Sequence, residues 1–140
     1  MLARRTLLGL LAALPARADE PLRFDGLYKS IGVRGMVFSD QVAALAGKPV
    51  RLRGYMAPPL AAESPFFVLT ATPLTICPFC QSDADWPVDI VVVYLRRIAP
   101  LLDGGTRLEV TGRLDIGSWT DPASGFVSLL RLVDADFRAV

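Results

Sequence analysis

Histidine is absent from this sequence of 140 residues. Its absence removes Ser/His and Cys/His nucleophile activation, His-based proton transfer and the Cys/His ligand sets of structural zinc. Cysteine is nearly as scarce, with Cys77 and Cys80 the only two. No apolar stretch approaches the roughly 20 residues that cross a hydrocarbon core, so no membrane span is expected. Basic residues never gather into a run. Without one there is no electrostatic grip for a nucleic-acid backbone or an anionic membrane surface, and neither partner is expected. Internal repeats and low-complexity segments are also missing.

The start of the chain is patterned differently from the rest. Arg4 and Arg5 make a basic opening, residues 7–14 are apolar, and Ala16-Arg17-Ala18 has the small-x-small form that a signal peptidase accepts. Residues 1–18 therefore read as a cleavable signal peptide, and the mature chain, starting at Asp19, is expected to be periplasmic or secreted. Arg4-Arg5 ahead of Thr6-Leu7-Leu8 suits twin-arginine export and general secretion alike. There is no cysteine near the cleavage site to take a lipid. Cleavage removes Arg4, Arg5 and Arg17 from the 15 basic residues and leaves the 14 acidic ones, turning the net charge from +1 to −2. The remaining chain, about 120 residues, suits one core better than two.

Residues 19–38 are mixed in character and interrupted by Gly26, Gly32 and Gly35, which reads as an extended arm without regular structure. Ser39 is an N-cap for a short helix over residues 40–46, with Asp40 in its first turn and Gly47 and Pro49 after it. Together, residues 19–48 form an N-terminal arm and helix.

From residue 49 onward the pattern has a period of two. Val50, Leu52, Gly54 and Met56 alternate with Arg51, Arg53 and Tyr55, the signature of a strand with one buried face. Residues 66–72 read as a second strand. Residues 89–95 hold the continuous run Ile90-Val91-Val92-Val93-Tyr94, expected of a strand covered on both faces. Residues 96–102 have room for a turn of helix. Leu108, Val110, Gly112, Leu114 and Ile116 then alternate with polar residues, and residues 117–125 read as a loop before a last strand over residues 126–137. The expected class is all-β with one or two short helices. Its strand order and the helix-length gap after the third strand favour a five-stranded OB-like barrel over residues 49–140, with a small sandwich as the rival.

Cys77-Pro78-Phe79-Cys80 carries the sharpest chemical signal, and three readings of it stand side by side. A structural disulfide suits an exported chain and would pin the loop between the second and third strands. A metal site for zinc or copper needs more ligands, with Asp83, Asp85 or Glu63 for zinc and Met56 or Met36 for Cu(I); no cofactor is required by the sequence. Thiol-disulfide exchange is the third, because the motif resembles that of glutaredoxin-like proteins. Against it, Asp83 and Asp85 disfavour a thiolate, and the βαβ pattern of that fold is missing. An acid pair drawn from Asp83, Asp85 and Asp89 is the remaining catalytic arrangement, and loop carboxylates of this kind are ordinarily solvated.

The aromatic residues give a second set. OB-folds bind ligands across the second and third strands and the neighbouring loops. On that scheme Tyr55, Trp86 and Trp119 form the candidate ligand face, the alternative being that such rings fill the core.

Gly54-Tyr55-Met56-Ala57-Pro58-Pro59-Leu60, Phe66-Phe67-Val68-Leu69-Thr70, the Cys77–Cys80 motif and Asp85-Trp86-Pro87 with Ile90-Val91-Val92-Val93 resemble a family of uncharacterised bacterial exported proteins. That family is similar to small periplasmic OB-like domains, and the likeness covers about residues 27–140. It implies a location and a fold and brings no activity, substrate or catalytic residue. The expectation is a binding or interaction module for a protein partner or a small ligand, in an oligomeric state the sequence leaves open. A thiol-disulfide oxidoreductase or a zinc- or copper-handling protein is the alternative.

Overall fold

The computed structural model describes residues 19–32, 35–57, 63–73, 89–100, 102 and 105–140. Residues 1–18, expected to be a signal peptide, lie outside them. The described chain is mostly β. Its strands are β1 (Glu20–Leu22), β2 (Tyr28–Gly32), β3 (Gly35–Phe38), β4 (Pro49–Met56), β5 (Glu63–Thr70), β6 (Ile90–Pro100), β7 (Arg107–Thr120) and β8 (Val127–Ala139). A 3-10 turn, Phe24–Gly26, and one helix, α1 (Asp40–Leu45), complete it.

The six-stranded sheet has the order β1-β4-β5-β6-β8-β7, and β4 also pairs with β7. From β4 the pairings therefore lead through β5, β6, β8 and β7 back to β4. Only β1–β4 and β6–β8 are parallel. β4 buries Val50, Leu52 and Met56 while Arg51 and Arg53 face out, as their alternation predicts. With Leu27, Val42, Phe67, Leu69, Leu108, Val110, Leu114, Leu130 and Leu132 they make the main core. Each large apolar side chain buried there contributes about 1.5–3 kcal/mol of transfer free energy.

The run at the start of β6 is buried on both faces, as expected. Val91 and Val93 point into the main core, whereas Ile90 and Val92 join a second cluster with Ala57 and Val68, flanked by Phe66, Tyr94 and Phe126. Beyond the run, the turn of helix expected over residues 96–102 is not formed. β6 continues to Pro100 because β5 starts at Glu63 and offers it partners, with Glu63 opposite Pro100 and Ser64 opposite Ala99. The described residues between β6 and β7 hold no helix.

Residues 19–38 likewise differ from the structureless arm. β1 lies parallel to β4 from Glu20 opposite Val50 to Leu22 opposite Leu52, and β2 and β3 form an antiparallel hairpin of their own. The reason is an available edge. β5 meets β4 only at Tyr55–Thr70 and Met56–Leu69, leaving the first part of β4 to β1. Leu22 and Leu27 then enter the core.

Ser39 caps α1 as expected, its Oγ accepting from Val42 N at 3.2 Å and donating to Gly26 O at 2.6 Å. The same serine thus ties the helix to the 3-10 turn. Ser39→Ala is expected to destabilise the protein by about 1–2 kcal/mol, the upper part of the range for a lost cap, read from the urea midpoint. A change below about 0.3 kcal/mol would show that the tie is not formed in solution.

Candidate functional site

The sequence candidates fall in different places. Cys77, Cys80 and Trp86 lie outside the described residues, as do Asp83 and Asp85. Met56 is fully buried in the core, where it packs as an ordinary apolar side chain. Tyr55 is half-buried on β4, opposite Thr70 and Arg107. Trp119 lies near the other end of β7, opposite Ser128. The structure therefore does not bring Tyr55 and Trp119 together. Among the described residues no group of three or more His, Cys, Asp or Glu side chains converges as a metal site would require.

Trp119 was expected in a loop and stands instead on a strand. The register of β7 against β8 shifts between Ile116 and Trp119, and Gly117 sits at φ +101°, a backbone shape that residues with side chains rarely adopt. This bulge interrupts the alternation. Past it, Trp119 is 40% exposed, meets Tyr94 edge-on at 5.3 Å and covers the Arg131 guanidinium at 5.6 Å.

Arg131 is almost entirely buried. Its Nε donates to Asp115 Oδ2 at 3.0 Å, and its Nη1 to Gly117 O at 2.9 Å, Ser128 O at 2.8 Å and Ser128 Oγ at 3.0 Å. Nearby, the Tyr94 hydroxyl donates to Asp121 Oδ2 at 3.2 Å, and burial together with the Asp121 charge raises its pKa. Burial would raise the Asp121 carboxyl too, but donors from Ala123 N, Tyr94 and Ser124 outweigh it and hold the carboxyl below its usual range. These polar atoms are engaged with one another, and they brace the end of the β7–β8 hairpin.

An open cleft of about 870 Å³ lies elsewhere, where β1 and the 3-10 turn stand beside β4. Pro21, Leu22 and Phe24 give it an apolar side, and Arg23, Arg51, Arg53 and Arg107 bring guanidinium groups to it. Asp25 and Asp89 also line it. No protein family, curated protein or solved structure matches this chain. Function has to be read from the site itself.

Next to the cleft, Glu109 organises the arginines. Its side chain is 6% exposed, screened by guanidiniums that themselves face water. Arg138 Nη2 donates to its Oε1 at 2.8 Å and Arg53 Nε to its Oε2 at 2.8 Å. Arg51 Nε stands 3.9 Å away, beyond hydrogen-bond reach. The hydrogen bonds from Arg138 and Arg53 lower the Glu109 pKa. A carboxyl held low in the folded state adds stability above the ordinary carboxylate range, and the addition is lost as pH falls through the lowered value. The stability gap between wild type and Glu109→Gln is accordingly expected to be open at neutral pH and to close below about pH 4. Urea midpoints across that range would check it, and a gap independent of pH would contradict the ion pairing.

This cleft was hardly legible beforehand. Arg51 and Arg53 read only as the outward half of an alternating strand. Their meaning depends on β7 lying alongside, with Glu109 opposite Arg53 and Arg107 opposite Tyr55. The one available signal was two charged i, i+2 pairs, Arg51/Arg53 and Arg107/Glu109, on strands of like period.

Proposed function

We propose that this chain is an exported binding or interaction module, acting in the periplasm or outside the cell and built on a five-stranded OB-like barrel. The barrel reading is supported by the circuit of pairings from β4 back to β4, with β6 and β8 its one parallel contact, an order that matches the OB topology. Export is supported by the form of residues 1–18. The observation that carries binding is the cleft. Its volume falls in the range of roughly 300–1,000 Å³ typical of small-molecule sites, and it combines an apolar side with charged donors, as such sites do. In an oxidising compartment the Cys77/Cys80 pair is read as a local disulfide.

Native mass spectrometry and thermal melting of the protein purified from its host's periplasm, with and without added host extract, test this. A bound small molecule or partner is expected, and near 100-fold excess over Kd it should raise the melting temperature by on the order of 10 °C. The same spectra, taken before and after reduction, report the cysteine pair. Retention of the protein in the cytoplasm, or extracts that supply neither ligand nor partner, would overturn the reading.

A further inference from the structure

We infer that the cleft takes an anionic small molecule, a carboxylate or phosphate carried on an apolar body, gripped by Arg51 and Arg107 with Phe24 beside the body. This rests on the binding-module reading and names the ligand class for its cleft.

The four guanidiniums of the cleft differ in what they already hold. Arg23 is joined to Asp25 by two hydrogen bonds, at 3.2 and 3.3 Å. Arg53 is spent on Glu109, whose other oxygen belongs to Arg138. Arg51 touches that carboxylate only at 3.9 Å, and Arg107 has no carboxylate within 4 Å among the described residues. Arg51 and Arg107 thus line the cleft with donors that no carboxylate holds by a hydrogen bond among the described residues. Each presents N–H groups in a planar fork that meets two oxygens of a carboxylate or phosphate at once.

Placement agrees with this. Arg53 lies opposite Glu109 and Tyr55 opposite Arg107, so Arg51, Arg53 and Arg107 rise from one outward face of the β4–β7 ladder. Two carboxylates line the cleft, Asp25, which Arg23 holds, and Asp89, whose main-chain oxygen accepts from Ala71 N. Like charges on neighbouring strand positions repel. Glu109 relieves that repulsion for Arg53 and Arg138 and leaves Arg51 and Arg107 short of a counter-charge. A bound anion supplies it, while half-buried Phe24 and exposed Pro21 offer apolar surface to the rest of the ligand.

The test titrates the protein with phenyl phosphate, benzoate and uncharged phenol, followed by ¹H–¹⁵N shifts and calorimetry. Saturable shifts at residues 51–53 and 107 are expected with one or both anions and not with phenol, and the stronger anion names the head group. Arg51→Gln and Arg107→Gln should each weaken binding about tenfold or more, with the melting temperature held within about 2 °C. Arg107→Lys should restore only part, since it keeps the charge without the fork. Raising salt from about 50 mM to about 0.5 M should weaken binding further. Absence of anion binding at the cleft, equal response to phenol, or wild-type affinity in both glutamine variants would overturn the inference. If the host extract still supplies a ligand, only the anion assignment falls; if it supplies none, the binding reading falls as well.

Discussion

Replacing Gly54 by alanine is expected to destabilise the protein by about 3 kcal/mol, at the high end for overpacking a core. A Cβ at this position would sit 2.6 Å from Thr70 O, 2.9 Å from Leu69 Cγ and 2.9 Å from Phe24 Cε2. Phe24 can give way, because it belongs to a 3-10 turn at the edge. Thr70 O cannot, since its residue is paired with Tyr55 on one side and Ile90 on the other, and its Oγ1 donates to Thr72 O at 2.6 Å. Folded domains have only about 5–15 kcal/mol in hand, so this loss would be plain in both urea midpoint and melting temperature. Trimming the flexible neighbour separates its contact from those with Thr70 and Leu69. Phe24→Ala in the Gly54→Ala background should recover less than about 1 kcal/mol, because the main-chain clash remains. A single variant within about 0.5 kcal/mol of wild type would mean that β4 and β5 do not approach this closely.

Gly54 also shows what a sequence can and cannot disclose. Its place inside a strand was legible from the alternation of Val50, Leu52 and Met56. The thing approached, Thr70, was not legible, because strand pairing is decided by packing between segments far apart in the chain. The same division runs through the fold. Ser39 and α1, the double-sided burial of Val91 to Val93 and the strand from Leu108 to Ile116 follow from local rules. β1 does not. A three-residue strand has no periodicity to read and exists only because β4 has an edge to spare. The extension of β6 to Pro100 depends similarly on Glu63 and Ser64 arriving from another part of the chain. Trp119 was misplaced for a local reason, the bulge at Gly117, which breaks the very pattern by which strands are recognised.

The candidate cleft was less legible than the fold. Four arginines spread from Arg23 to Arg107 make no run, and their mutual arrangement appears only when β1, β4 and β7 lie side by side. Net charge misled in the same way. A charge of −2, expected once residues 1–18 are removed, gives no reason to look for a positively charged cleft, yet Glu109 answers only part of the positive charge around it. Charge balance over a whole chain says little about a surface the size of one ligand.

Arg131→Ala is expected to cost about 3 kcal/mol, and the size of the loss depends on what is left behind. Arg131 is 3% exposed, but its partner Asp115 is half-exposed and can recover water when the guanidinium goes. The penalty therefore comes mainly from Gly117 O and Ser128 O, which lose their donor, and from the space opened under Trp119. Arg131→Met keeps most of that space filled with a polarizable chain against the ring and should lose no more than about half as much. Coupling measured in an Asp115→Ala cycle should stay below about 1 kcal/mol, since the half-exposed Asp115 carboxylate is screened by water. Chemical denaturation of wild type, both Arg131 variants, Asp115→Ala and the double alanine variant decides it. If Arg131→Ala falls within about 1 kcal/mol of wild type, the guanidinium is not the brace of this hairpin. If methionine is as damaging as alanine, the hydrogen bonds to Gly117 and Ser128 outweigh the packing of Trp119, and the bulge itself is what Arg131 holds in place.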